Sequence, residues 1–177
     1  MGRVLGLLAA VGMLAFGTAH ARTASEGSTL EAQAQNKIEM MTTRDPGLRP
    51  LLNQAAAYIV FPNVVEGGLV VGAAGGRGVV FEKGRPAGFA ELTQASVGAV
   101  AGGQKFAELV LVRDASTLAK LRAGTFDVGA KASAVMVHSG AARQTEFGDN
   151  GLAIFDQPEK GAMLNLSLSG QRIRIIG

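Results

Sequence analysis

From Tyr58 onward the chain is a succession of short runs rich in Val, Ile, Leu and Phe, cut by glycine-bearing turns. Runs of this length and composition between turn formers read as strands. The expected strands are residues 58–61, 68–73, 78–82, 88–93, 97–102, 107–112, 126–129, 131–137, 151–155, 162–168 and 171–175. Glu82-Lys83-Gly84-Arg85-Pro86 reads as a hairpin loop, and Ser169-Gly170 as a second one of the tight two-residue kind. One helix interrupts the strands: Asp114 caps it, Leu118 and Leu121 face inward, and Gly124 ends it. The 25 glycines suit turns and bulges in a tightly curved sheet.

Before Tyr58 the period changes. Ser28-Thr29-Leu30-Glu31 matches a capping box, and Leu30, Ala34, Ile38 and Met41 then recur at helical spacing. Asp45-Pro46 reads as the start of a second helix, striped by Leu48, Leu51, Leu52 and Ala55. Two short helices, 29–43 and 46–57, therefore precede the strands. The polar face of the first carries Glu31, Gln33, Gln35, Asn36 and Glu39 against one lysine. A helix lying on a membrane wants a basic polar face, so this one is expected to pack on the sheet. The fold class is α+β: an antiparallel β-rich sandwich or partly closed barrel, with two N-terminal helices and one helix inserted between strands.

Arg3 followed by the apolar run Val4–Phe16 and by Ala19-His20-Ala21 has the form of a secretory signal, residues 1–21. A flexible leader over 22–27 and one domain over 28–177 are then expected, helical to residue 57 and β-rich beyond it. At about 150 residues a domain buries roughly 68–70% of its unfolded surface, enough for a core without disulfides. The absence of cysteine excludes thiol chemistry and thiolate-bound metal. Seventeen Lys and Arg against fourteen Asp and Glu give a net charge of +3, and the charges are scattered. That pattern does not describe a nucleic-acid binder. It permits contact with anionic headgroups.

The stretch Gly67-Gly68-Leu69-Val70-Val71-Gly72-Ala73-Ala74-Gly75-Gly76-Arg77-Gly78 invites a nucleotide-binding reading. A dinucleotide fingerprint must open a helix, whereas these glycines run into Val79-Val80-Phe81, a strand. They are read as a tight hairpin between two strands. No catalytic residue, metal-ligand set or cofactor motif is assigned. Past the signal the one histidine is His138, with no zinc-type spacing and no nucleophile elbow elsewhere. Glu66, Glu82, Glu91, Glu108 and Asp127 stand singly and are read as solvated or turn charges. Among the bases, Arg77, Lys83 and Arg85 fall at the ends and turn of one hairpin, within reach of one another. Arg172 and Arg174 alternate with Ile173 and Ile175, which puts both on one face of the last strand. These five are the candidate lipid-headgroup residues. Lys37, Arg44 and Arg49 flank the N-terminal helices.

The order of motifs from Ala57 resembles the SYLF domain. The matching stretches are Ala57–Gly68, Gly72–Val80, Gly84-Arg85-Pro86-Ala87-Gly88, Ser96-Val97-Gly98 with Gly102 and Gln104, and Leu109–Val112. Phe126–Gly129, Ala132–Val135, Lys160-Gly161-Ala162-Met163 and Leu166–Gly170 follow in the same order. The chain departs from the family pattern at Val100, Lys131 and Ser169, and lacks its lysine-rich N-terminal helix. No binding residue is carried over. The resemblance implies a non-enzymatic lipid-binding module of the bacterial secreted or periplasmic kind, on or near the outer membrane. Actin, a partner of some relatives, does not fit an exported chain. Membrane lipid, of anionic type, is the expected partner. The alternative is an envelope protein that docks another protein without lipid specificity, and a third reading is an enzyme acting through His138.

Overall fold

The computed structural model describes residues 14–68, 71–97, 102–124, 127–128, 135–137, 146–158 and 171–176. Helix α1 (Leu14–Arg44) and the short α2 (Leu48–Gln54) precede four long strands: β1 (Ala57–Gly68), β2 (Val71–Glu82), β3 (Arg85–Val97) and β4 (Gly102–Val112). Helix α3 (Ala115–Arg122) follows, then β5 (Asp127–Val128), β6 (Val135–Val137), β7 (Leu152–Pro158) and β8 (Gln171–Ile176). The strands form one sheet in the order β5-β8-β3-β2-β1-β4-β7-β6. All described pairings are antiparallel except β6 with β7. The chain is an α+β protein dominated by an antiparallel sheet, with helices at its start and one inserted between strands.

Strands β1 and β2 run on through residues expected to turn. The glycines at 72, 75, 76 and 78 lie inside β2, all paired to β3 and all but Gly78 paired to β1, and the reversal falls between Gly68 and Val71. A β-bulge in β1 between Val60 and Asn63 explains why two of them must be glycine. A Cβ at Gly78 would lie 2.6 Å from a ring carbon of Phe61 and 2.7 Å from the Val60 carbonyl oxygen, and one at Gly76 2.9 Å from that of Asn63. The bulge pushes the β1 backbone into space that β2 leaves vacant. No phosphate loop is formed there.

The two faces of the sheet carry separate apolar layers. On one face, Leu30, Ala34, Ile38 and Met41 of α1 and Leu48, Leu51 and Leu52 of α2 pack on Val60, Val79, Phe81, Leu109, Leu111 and Phe155. Both helical stripes thus pack on the sheet as expected. The other face gathers Ile59, Phe61, Val64, Val80, Leu92, Phe106, Val110, Ile154 and Ile173 with Leu118 and Leu121 of α3. Here the sheet curls. Gln171 on β8 and Glu108 on β4 lie four strand positions apart, about 19 Å on a flat sheet. Their side chains nevertheless meet, Nε2 of Gln171 donating to Oε1 of Glu108 at 2.6 Å. The sheet is bent part-way toward a barrel without closing.

Local start and stop signals fare unevenly. Asp114 caps α3 as expected, accepting from the Thr117 amide at 2.8 Å and the Ser116 hydroxyl at 2.7 Å. Gly124 ends that helix at φ +66°. Those hydrogen bonds to the Asp114 carboxylate hold its pKa far below the ordinary range. The Ser28 capping box does not form. Ser28 and Thr29 donate back to the Ser25 carbonyl at 3.0 and 2.8 Å, inside a helix that passes straight through residues 22–27. Asp45 does not cap α2 directly either: its Oδ1 accepts from the Gly47 amide at 3.0 Å, fixing the turn between α1 and α2. The expected strand 162–168, the Ser169-Gly170 hairpin and His138 lie outside the described residues.

Candidate functional site

The corner between α1 and α2 and the β2–β3 hairpin enclose a groove of about 790 Å³. Ile38, Leu52, Ala55 and Tyr58 line it as apolar surface, Thr42 and Asn53 as neutral polar groups, and Arg49, Lys83 and Glu39 as charges. One ring contact lies beneath it. Tyr58 on β1 stacks on Phe81 of β2 with ring centroids 5.0 Å apart and planes 11° from parallel. The half-buried setting raises the Tyr58 hydroxyl pKa by desolvation. Arg49 and Lys83 are exposed at the rim, two cations against the single acid Glu39.

Lys83 reaches the rim because the hairpin tip is a tight turn. Glu82 pairs with Arg85 in register, and Lys83 and Gly84 both have positive φ, 51° and 76°. That is a type I′ turn, whose twist matches the flanking strands. A left-handed conformation is comfortable for Gly84 but costs Lys83 about 1 kcal/mol.

The five expected headgroup residues do not form one patch. Lys83 and Arg85 share the hairpin tip, both exposed. Arg77 is mid-strand, at least five residues or about 17 Å along β2 from that tip, so the expected cluster of Arg77 with Lys83 and Arg85 is not formed. Strand length is the cause: the turn expected at the glycines is absent, and Arg77 stays in the ladder. It sits opposite Glu91, with Nη1 3.9 Å from Glu26 of α1. Arg174 flanks Glu91 from the other side and bonds it at 2.6 Å. Arg172 and Arg174 do share the outer face of β8, alternating with buried Gln171 and Ile173. Arg49, met in the sequence as one of three cations beside the helices, lines the same groove as Lys83.

The acids correct the sequence reading more sharply. Glu82 pairs with Arg122 of α3, and Glu91 with Arg174. Glu66, Glu108 and Asp156 are all buried, and Glu108 and Asp156 lie side by side on the inward face of the curl. Phe61, Glu108 and Asp156 are in register across β1, β4 and β7. Gln104, paired with Glu66, donates to it at 3.4 Å. Glu108 is 2% exposed and Asp156 4%. Burial raises both carboxyl pKa values, Glu108 well above the ordinary range with the Asp156 charge adding to it, and Asp156 to about 7. The signal was present in the sequence. Glu108 interrupts Phe106–Val112, a run apolar on both faces, where a strand leaves a carboxylate no route to water.

Among the described residues, no group of three His, Cys, Asp or Glu side chains is arranged to hold a metal ion. No described helix is long and apolar enough to cross a membrane. Compared with protein-family models and with curated proteins, the chain matches none.

Proposed function

We propose that this is a non-enzymatic lipid-binding protein of the cell envelope that receives an anionic headgroup in the groove between Arg49 and Lys83. One observation carries the reading: an apolar floor of Ile38, Leu52, Ala55 and Tyr58 meets two exposed cations at a single rim. That pairing of apolar and cationic surface matches the two halves of an anionic lipid. Each basic side chain at an anionic membrane contributes about 1 kcal/mol. The secretory form of residues 1–21 and the SYLF-like order of motifs support the same reading.

Flotation of the purified protein with vesicles of anionic and of neutral phospholipid tests it. Recovery with the anionic vesicles at low salt, reduced at high salt, is the expected result. Recovery with neither, together with an envelope protein that co-purifies, would replace this reading with partner docking.

A further inference from the structure

The inward cluster has a composition that the lipid reading does not use. Its unpartnered buried atoms are all oxygens: both carboxyl oxygens of Asp156 and Oε1 of Gln171. Each is an acceptor, so what the cluster lacks is a hydrogen to donate. Gln171, fully buried, has already turned its NH₂ toward Glu108. Glu108 and Asp156 are cross-strand neighbours on one face, and two ionised carboxylates in a dry site repel. A proton held between them removes the repulsion and supplies the missing donor at once.

We propose that Glu108 and Asp156 form a proton lock: while they share a proton they fasten β7 and, through Gln171, β8 to the centre of the curled sheet, and ionisation of both releases that end. The surroundings favour this assignment. From β1, Glu66, a further acid, acts on Asp156 through its charge, and Gln104 of β4 bonds Glu66 rather than the pair. From β8 it is faced by Gln171. At the corner after α1, Arg44 and Asp45 line with Asp156 and Gln157 a void of about 20 Å³, room for a single water. Arg44 is the one described cation lining that void, and it is exposed. The raised carboxyl pKa values have the same direction. This inference is independent of whether the groove takes lipid.

The test follows the full-length protein with carboxyl-carbon NMR titration and amide hydrogen exchange, alongside the double variant Glu108→Gln/Asp156→Asn. At least one of the two carboxyls is expected to titrate near or above neutrality. Protection factors in β7 and β8, corrected for intrinsic exchange, are expected to fall about tenfold per pH unit between pH 5 and 7. In the double variant, whose amides donate without a proton to lose, that fall is expected to flatten. Both carboxyls titrating together near pH 4 would overturn the proposal, as would a fall in protection that persists in the double variant. Should the variant fail to fold, the titration of the unaltered protein decides alone.

Discussion

Gln171 on β8 donates a 2.6 Å hydrogen bond to Glu108 on β4, across the interior of a sheet in which β3, β2 and β1 lie between them. The bond records how far the sheet has curled. Gln171→Leu keeps the volume and removes the donor, leaving a buried carboxyl oxygen unsatisfied. The expected loss is about 2 kcal/mol in a denaturant titration.

Stability is expected to depend on pH with an unusual sign. A carboxyl whose pKa is raised by folding binds more protons in the folded than in the unfolded chain between the two values. For Asp156, raised to about 7, that window runs from about 4 to about 7. The stabilisation it lends is full below the window and is lost as pH rises through it. Unfolding midpoints measured across this range are expected to fall with rising pH. A midpoint that rises from pH 4 to pH 7 would show that normal, ion-paired carboxylates dominate instead.

The glycines of β1 and β2 separate into those that fill a steric need and those that do not. Gly78→Ala drives a methyl into Phe61 and the Val60 carbonyl, and is expected to cost about 3 kcal/mol. Gly67→Ala meets nothing within 4 Å and is expected to be nearly neutral. Thermal unfolding of the two variants side by side checks the bulge that places them.

Lys83 offers a separation of stability from binding. Asn tolerates the left-handed conformation better than Lys, so Lys83→Asn is expected to stabilise the fold by about 0.5 kcal/mol. The same change removes a cation from the groove and is expected to weaken vesicle binding several-fold. A variant that melts higher and binds less could not be explained by unfolding.

Much of this architecture was legible in the sequence, for identifiable reasons. The apolar stripe Leu30, Ala34, Ile38 and Met41 has helical spacing, and all four residues pack on the sheet. Asp114 and Gly124 bracket α3 because side-chain capping and positive φ are local properties. Strand ends were less legible, because a glycine that admits a neighbour's bulge looks the same as one that turns. Gly76 and Gly78 are of the first kind. The Ser28 capping box failed because the same hydroxyl bonds equally well to a carbonyl one turn back. The groove could not be read at all, since Arg49 and Lys83, far apart in the chain, come to line one groove only in the folded structure. Glu108 was readable from its apolar run, but its pairing with Asp156 required the β4–β7 register.

In the proposed function, Arg49 and Lys83 draw the protein to anionic lipid. Flotation of the unaltered protein and of Arg49→Gln/Lys83→Gln on anionic vesicles, at low salt and at 1 M salt, puts this to the test. Losing two cations worth about 1 kcal/mol each is expected to lower partitioning about thirtyfold at low salt. At 1 M salt, where the screening length is about 3 Å, the two proteins should partition alike. Equal recovery of both proteins at low salt would contradict the claim.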